Sequence, residues 1–400
     1  MLISKITLLI TYLPYFFLSH FYDNSGLPSI NEFIHIQHSK ITYQNVIRKN
    51  FHGIDSLINK AIQDSVFPGA SLLVAKNGKI IYKKGFGHFT YDNNSEKVTP
   101  KTIYDLASVT KVIATTTAAM ICIDRGLFHL DDKVSKYIPQ FSVNGKENIT
   151  IKNLLLHNTG LPAYKKYHEK FNNADSVLND IYSSELEYET GTKTVYSDLG
   201  IITLGKVIEK VTGRSLDIFC KDEIFNPLGM KNTFYNPPTK FKKRITPTEL
   251  DIYWRNRLLI GEVHDETASL LGGVSGHAGL FSTTEDLYKL LLMLQNKGKF
   301  NGKRIINKKT VELFTKQYSD KSSRALGWDT NSFENASCGK YFSKSSYGHT
   351  GYTGTSVWTD PEKKLIVILL TNRVYPTRNN TKIIQFRPVI HSEIINSIKN

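Results

Sequence analysis

Tyr104-Asp105-Leu106-Ala107-Ser108-Val109-Thr110-Lys111, continued by Val112-Ile113-Ala114-Thr115-Thr116-Thr117-Ala118-Ala119-Met120, reads as a turn feeding a helix. Ser108 stands at the helix start and Lys111 three residues on, close to one turn, so hydroxyl and amine share a face. Serine is a weak nucleophile at neutral pH and needs a base within hydrogen-bond reach. A lysine serves when burial and nearby cations lower its pKa enough to leave a free amine. A helix start also offers unpaired N–H groups and a positive dipole end, which suit a developing oxyanion. The same spacing arises by chance from an N-cap serine and a solvated lysine, so its meaning depends on partners elsewhere in the chain.

The chain of 400 residues has room for one large domain or two smaller ones. Its 40% hydrophobic, 11% aromatic and 22% charged content is that of an ordinary globular protein. The net charge of +15 raises the question of an acidic partner such as nucleic acid, an anionic membrane surface or a wall polymer. The basic residues are scattered, runs such as Lys240-Phe241-Lys242-Lys243-Arg244 are short, and no nucleic-acid motif accompanies them. A general Lys, Asn and Ile enrichment accounts for the charge, and no nucleic-acid partner is expected. Cys122, Cys220 and Cys338 are far apart, odd in number and without metal-ligand spacing. No metal or cofactor is therefore expected.

Met1-Leu2-Ile3-Ser4-Lys5 precedes an apolar run from Ile6 to Leu18 broken by Pro14. Residues 1–22 read as a secretory signal or an uncleaved signal anchor, so the chain is expected to be exported to the periplasm or cell envelope. An anchor would associate it with the membrane. Residues 23–50 read as a linker and 51–400 as the folded domain.

Ile54, Leu57, Ile58, Ala61 and Ile62 have helical spacing, ended at Phe67-Pro68-Gly69. Ala70–Lys76 and Lys79–Gly85, joined by Asn77-Gly78, form a hairpin. After Gly126 the pattern turns mostly helical, with segments at Ile149–His157, Ile201–Val211 and Leu216–Phe225. Ser282-Thr283-Thr284-Glu285 reads as a capping box opening a helix through Leu294. Tyr352–Thr359 alternates as a strand, with Gly348-His349-Thr350-Gly351 at its head. Leu365–Leu370 reads as a buried strand, and 383–398 as a closing helix. Strands at both ends with helices between argue for one sheet assembled from both termini around an inserted helical region at about 127–340.

Two further pieces bear on chemistry. Tyr196-Ser197-Asp198 lies just before a helix. Small residues around His349 would let a substrate lie along a strand edge. Ser108-Val109-Thr110-Lys111, Tyr196-Ser197-Asp198 and His349-Thr350-Gly351, in this order, resemble the serine β-lactamase and penicillin-binding-protein superfamily. The class C, esterase and D,D-peptidase branch is the most similar. Leu154-Leu155-Leu156-His157-Asn158-Thr159-Gly160-Leu161-Pro162 and Gly279-Leu280-Phe281-Ser282-Thr283 are similar to phrases of that family, and the likeness spans about 54–398.

The resemblance implies an α/β (α+β) fold, an antiparallel sheet flanked by helices with an inserted all-helical region and the site between them. It implies that Ser108 forms an acyl-enzyme, that Lys111 holds or takes the hydroxyl proton, and that Tyr196 shares in proton transfer. It also implies an oxyanion hole from the N–H groups of Ser108 and Tyr352, with Asp198, His349, Thr350 and Gly351 on the substrate side. Two departures stand out. Asp198 replaces the usual Asn and would either hold Lys111 charged or orient it while sharing a proton. His349 replaces the usual Lys and weakens a fixed charge for a substrate carboxylate. Both argue against an efficient β-lactamase and for an esterase or D,D-peptidase.

Glu262-Val263-His264-Asp265, followed by Leu271-Gly272-Gly273-Val274-Ser275-Gly276-His277-Ala278-Gly279, resembles a penicillin-binding-protein-4B-like subgroup. It also resembles hydrolase domains fused to family 3 N-acetylglucosaminidases. This implies cell-wall muropeptide as substrate, with His264, Asp265 and His277 lining the cleft. Two competitors remain: a penicillin-recognising wall-binding protein that acylates without efficient turnover, and a charge-driven surface binder, which leaves the three ordered motifs unexplained.

Overall fold

The structure is a computed structural model that describes residues 51–331 and 336–399. The signal and linker expected at 1–50 lie outside the described residues.

In α1 (His52–Gln63) the buried Ile54, Ile58 and Ala61 make one apolar stripe. β1 (Gly69–Lys76) and β2 (Lys79–Gly87) form the hairpin, and Asn77 and Gly78 both take the positive φ its tight turn requires, 51° and 72°. The short β3 (Tyr104–Asp105) leads into a 3₁₀ turn at Ala107–Val109, a π-helical turn at Lys111–Thr116 and α2 (Thr117–Asp124). This run is apolar along its length and 83% buried, as a core helix is. The helical region follows, with α3 (Ile151–Leu156), α4 (Ala174–Ser183), α5 (Asp198–Thr212) and α6 (Leu216–Cys220), the last running into a π-turn that ends at Phe225.

The chain then mixes short strands with helices. In order these are β4 (Phe234–Tyr235), a ribbon of β5 (Leu250–Asp251) and β6 (Arg257–Leu258), α7 (Glu266–Leu270), β7 (Leu280–Ser282) and α8 (Thr284–Gln295). A second ribbon of β8 (Lys299–Phe300) and β9 (Lys303–Arg304) precedes α9 (Lys308–Thr315). β10 (Asp329–Thr330), β11 (Tyr347–Thr350), β12 (Ser356–Asp360), β13 (Leu365–Thr371) and α10 (Ile383–Lys399) close the domain.

The main sheet runs β10-β11-β12-β13-β1-β2, antiparallel throughout, so strands from both ends of the domain meet where β13 pairs with β1. Leu73, Ala75, Ile366, Ile368 and Leu370 enter the large core shared with α2 and α8. The alternate residues Leu72, Val74, Val367 and Leu369 are fully buried on the opposite face, where α1 and α10 pack together.

Three local readings change. The segment 127–340 is built of helices alone only as far as Phe225, after which short strands alternate with helices. Beyond it, β4 and β7 join β3 in a second sheet, and α8 lies on β1 and β13 because Leu287, Leu290, Leu291 and Leu294 need the sheet face for burial. Thr283, not Ser282, caps α8, its hydroxyl accepting from the Asp286 N–H, because Ser282 belongs to β7. The sequence around His349 is a strand of its own, β11, and β12 starts only at Ser356. Between them the chain turns, with Gly354 at φ 108°.

Candidate active site

β3 delivers the chain to Ser108 by pairing with β7, Asp105 opposite Phe281. Buried Asp105 accepts from the N–H of Ala107 at 2.8 Å and of His264 at 2.7 Å. Ala107 takes φ 46°, a conformation that costs an L-residue roughly 1–2 kcal/mol. That reversal brings Ser108 to a partly exposed position while Ala107 and Val109 stay buried. A 3₁₀ turn and then a π-turn carry Lys111 under it, and the Lys111 Nζ donates to Ser108 Oγ at 2.9 Å.

Lys111 is wholly buried. Its ammonium also donates to the His277 carbonyl at 3.0 Å and sits 2.7 Å from the Asp198 carboxylate. Two acceptors and one carboxylate thus surround the ammonium, the carboxylate as an ion pair. Burial pushes the amine toward neutrality, but Asp198 and Tyr196 outweigh it and hold Lys111 above its ordinary value. This direction runs against the free amine that the spacing alone suggested and agrees with the charge-holding role of the two open to Asp198. Asp198 opens α5, where the helix dipole favours a carboxylate, and the Ser197 hydroxyl caps that helix by accepting from Gly200 N–H.

Tyr196 arrives on the extended chain before this cap, with its hydroxyl turned inward. Its ring lies 4.9 Å from the Lys111 Nζ and 4.8 Å from the His157 ring. Burial raises the phenol pKa, against the pull of Lys111. His157 takes a left-handed conformation that ends α3, and its Nδ1 accepts from the Ser197 N–H at 3.1 Å. The likeness around 154–162 therefore has a structural meaning: it packs Tyr196 in place.

The turn after β11 faces Ser108. The Thr353 hydroxyl donates to the Asp105 carbonyl at 2.8 Å and the Thr355 hydroxyl to the Leu106 carbonyl at 2.9 Å, tying the two segments together. A Cβ on Gly351 would lie 2.4 Å from the Leu106 carbonyl oxygen, so only glycine allows this approach. Arg387 on α10 donates to the carbonyls of Gly351 and Thr355, and Arg373 to that of Tyr352. The Ser108 and Tyr352 N–H groups have no partner in the backbone hydrogen-bond network of the described residues.

His349 is buried and accepts no proton readily: desolvation first, then the Arg324 and Lys111 charges, hold its pKa well below the ordinary value. Its Nδ1 faces the Thr350 carbonyl at 2.8 Å, which assigns that nitrogen the hydrogen. Arg324 brings a positive charge near this position, its guanidinium 5.1 Å over the Tyr196 ring.

His264, Asp265 and His277 separate into two roles. His264 Nε2 pairs with Glu249 at 2.8 Å, and Arg378 bridges Glu249 and Glu266. Asp265 caps α7 and accepts from His277 Nε2 at 2.8 Å, while His277 Nδ1 meets the Ser275 hydroxyl. Asp198, Asp265 and His277 bring ligating atoms within 4.8 Å of one another, but the cation held among them is the Lys111 ammonium. This bracing fixes the His277 carbonyl that Lys111 uses.

Arg324, Arg373 and Arg387 were not singled out in the sequence. Each is a lone arginine outside any motif, and only the fold carries it to the site. Asp105, in contrast, sits within the opening stretch as the residue before the turn, a common Asx position.

A protein-family model described as Beta-lactamase matches residues 54–387. An "N-acetylmuramyl-L-alanine amidase" of Bacillus subtilis is 37% identical over 362 residues, 81% of each chain. A protein of Escherichia coli named "Putative D-alanyl-D-alanine carboxypeptidase" is 36% identical over 363 residues, 82% of this chain and 83% of that one. Among solved structures, the hydrolase EstCE1 superposes with TM-score 0.69 at 22% identity, covering 88% of this chain and 99% of that one. A penicillin-binding protein homologue from Pyrococcus abyssi gives 0.66 at 23% identity, covering 86% and 77%. The sheet, the order of the three motifs and a match along most of the domain agree, and the chain belongs to the beta-lactamase family.

Proposed function

We propose that the chain is a serine hydrolase that works through an acyl-enzyme on Ser108, acting on an ester or a D-amino-acid peptide of cell-wall muropeptide. The observation that carries this reading is the Lys111 ammonium set between Ser108 Oγ at 2.9 Å and the Asp198 carboxylate at 2.7 Å. An ammonium accepts no proton, so in this reading the serine proton moves in a relay. As Oγ attacks the carbonyl carbon, Lys111 takes the Oγ proton and passes one of its own to Asp198. Reversal of the relay, with the Tyr196 hydroxyl alongside, returns that proton to the leaving oxygen or nitrogen. The Ser108 and Tyr352 N–H groups stabilise the oxyanion, an effect typically worth about 3–4 kcal/mol per donor. A neutral His349 supports the esterase or peptidase reading over an efficient β-lactamase. The relatives' printed activities favour cell-wall substrates, and an envelope location with the N-terminus as signal or anchor agrees with them.

A charged ammonium also favours a second reading, a penicillin-recognising protein that acylates and then deacylates slowly. Intact-mass spectrometry with a fluorescent penicillin and, separately, a p-nitrophenyl ester decides between them. Rapid ester turnover without a lasting penicillin adduct supports the hydrolase, and a persistent adduct supports the slow-turnover form. Ser108→Ala should abolish both signals, and an adduct that survives in this variant at the same site would sink the assignment of the nucleophile.

A further inference from the structure

Beside Tyr196 a pocket of about 570 Å³ opens between the 191–194 segment, α3 and the 318–324 segment. Four cations line it, Lys152, Lys193, Lys321 and Arg324, against a single acid, Asp131. None of the four makes an ion pair within 4.0 Å among the described residues. The Lys152 ammonium rests 5.6 Å from the Tyr318 ring. The Arg324 Nη1 is buried without a hydrogen-bond partner. The cleft beside Pro162 shows the contrast: there Lys165 is neutralised by Asp180 at 2.6 Å. Uncompensated like charges converging on a concave wall raise the local potential and concentrate anions. A buried guanidinium nitrogen without an acceptor is expensive unless a ligand supplies one.

Arg324 links the pocket to the chemistry, because the same guanidinium lies over the Tyr196 ring. From this we infer that the pocket binds a carboxylate-bearing part of the substrate distant from the bond that is cut, so that the preferred substrate is an acidic peptide chain with more than one free carboxylate. The inference rests on the proposed reading of the Ser108 site for its link to substrate. Arg324 receives the nearest carboxylate, and Lys152, Lys193 and Lys321 receive the next. The charge of +15 then has a local meaning at one surface beyond the general enrichment in lysine.

Binding of tri-D-glutamate, with tri-D-glutamine as neutral control, tests the pocket by calorimetry without any turnover. The wild-type protein and Ser108→Ala should bind tri-D-glutamate alike and ignore tri-D-glutamine. The double variant Lys152→Glu/Lys193→Glu should weaken binding at least tenfold. Lys240→Glu/Lys242→Glu, an equal change of net charge on an exposed 3₁₀ turn, should change it less than twofold. Equal losses in both doubles, or no binding to the wild type, would overturn the proposal. The substrate link is read with p-nitrophenyl decanoate and mono-p-nitrophenyl sebacate, equal in length and differing in a terminal carboxylate. The ratio of kcat/KM, sebacate over decanoate, should exceed ten in the wild type and approach one in the pocket double, while a ratio unchanged by the double overturns the link. Failure of Ser108 to acylate, with tri-D-glutamate binding intact, would count against the hydrolase reading and leave the pocket standing.

Discussion

Asp198 stands where the resemblance to class C enzymes implies an Asn, and its charge sets the chemistry of the site. Its carboxylate is the largest of the influences that outweigh burial and keep Lys111 above its ordinary pKa. Replacing it with the isosteric amide removes the opposing charge and leaves desolvation in command, so the Lys111 pKa should fall below the ordinary lysine value. In Asp198→Asn the lysine itself becomes the base. NMR of the Lys111 side chain with labelled lysine should show its titration at a clearly lower pH than in the wild type, and the alkaline end of the kcat/KM profile should move with it. A Lys111 titration unmoved by the substitution would mean that Asp198 does not govern the ammonium. Lys111→Ala removes the relay altogether and should cut turnover by roughly 10²–10⁴-fold, the usual worth of general acid–base catalysis. The serine–lysine pair was legible because both partners lie within one turn of chain. The protonation state of the lysine was not, because it is set by Asp198 and a backbone carbonyl, 87 and 166 residues away along the chain.

At the scale of elements, the site depends on two backbones that nearly touch. The loop carrying His277 passes over α5 with no room for a side chain: a Cβ on Gly276 would lie 2.3 Å from the Ile201 carbonyl oxygen. The Gly276 carbonyl accepts from the Thr115 hydroxyl at 2.6 Å, and the next carbonyl accepts from Lys111. Gly276→Ala must therefore move the loop or the helix, and either displacement carries the His277 carbonyl away from the ammonium. Stability should fall by about 1–3 kcal/mol, in the range of overpacked cores, and kcat should fall as well. Chemical denaturation and ester turnover on the same preparation check it, and a variant of unchanged stability would show that the two backbones have room to spare. The glycine-rich string was visible in the sequence, as was its nearness in type to a family motif. Which helix it touched was not, since glycine carries no hydrophobic periodicity to report a packing face. The same limit explains α8, whose apolar stripe was legible while its partner, the main sheet, was a matter of topology.

For the molecule as a whole, three buried histidines resist protonation: His157, His349 and His391. Burial is the first cause in each, and it lowers His157 and His349 well below the ordinary value and His391 to about 4. Unfolding restores an ordinary imidazole near 6.5, so between pH 6.5 and the folded values the unfolded chain binds more protons. Stability therefore rises with pH across that window and declines as pH falls through it. His391 alone contributes about 3 kcal/mol of this loss, at roughly 1.4 kcal/mol for each tenfold drop in proton affinity on folding. The depressed carboxylates Glu249 and Asp251, both near 2, act in the same direction but mostly below pH 4. Asp105, raised by burial, opposes the histidines by at most one proton. Urea unfolding at intervals from about pH 4.5 to 7 should show a free energy that climbs with pH by up to about three protons' worth, roughly 4 kcal/mol per pH unit at its steepest. His391 packs beside Phe342, its ring 5.9 Å away, and its Nδ1 faces the Ser337 carbonyl at 2.8 Å. His391→Leu keeps the apolar packing, removes that hydrogen bond and removes one titrating group, so the slope should drop by one proton while stability near pH 7 changes by about 1 kcal/mol. A slope identical to the wild type would place the acid sensitivity elsewhere in the fold, with the two histidines that flank Tyr196.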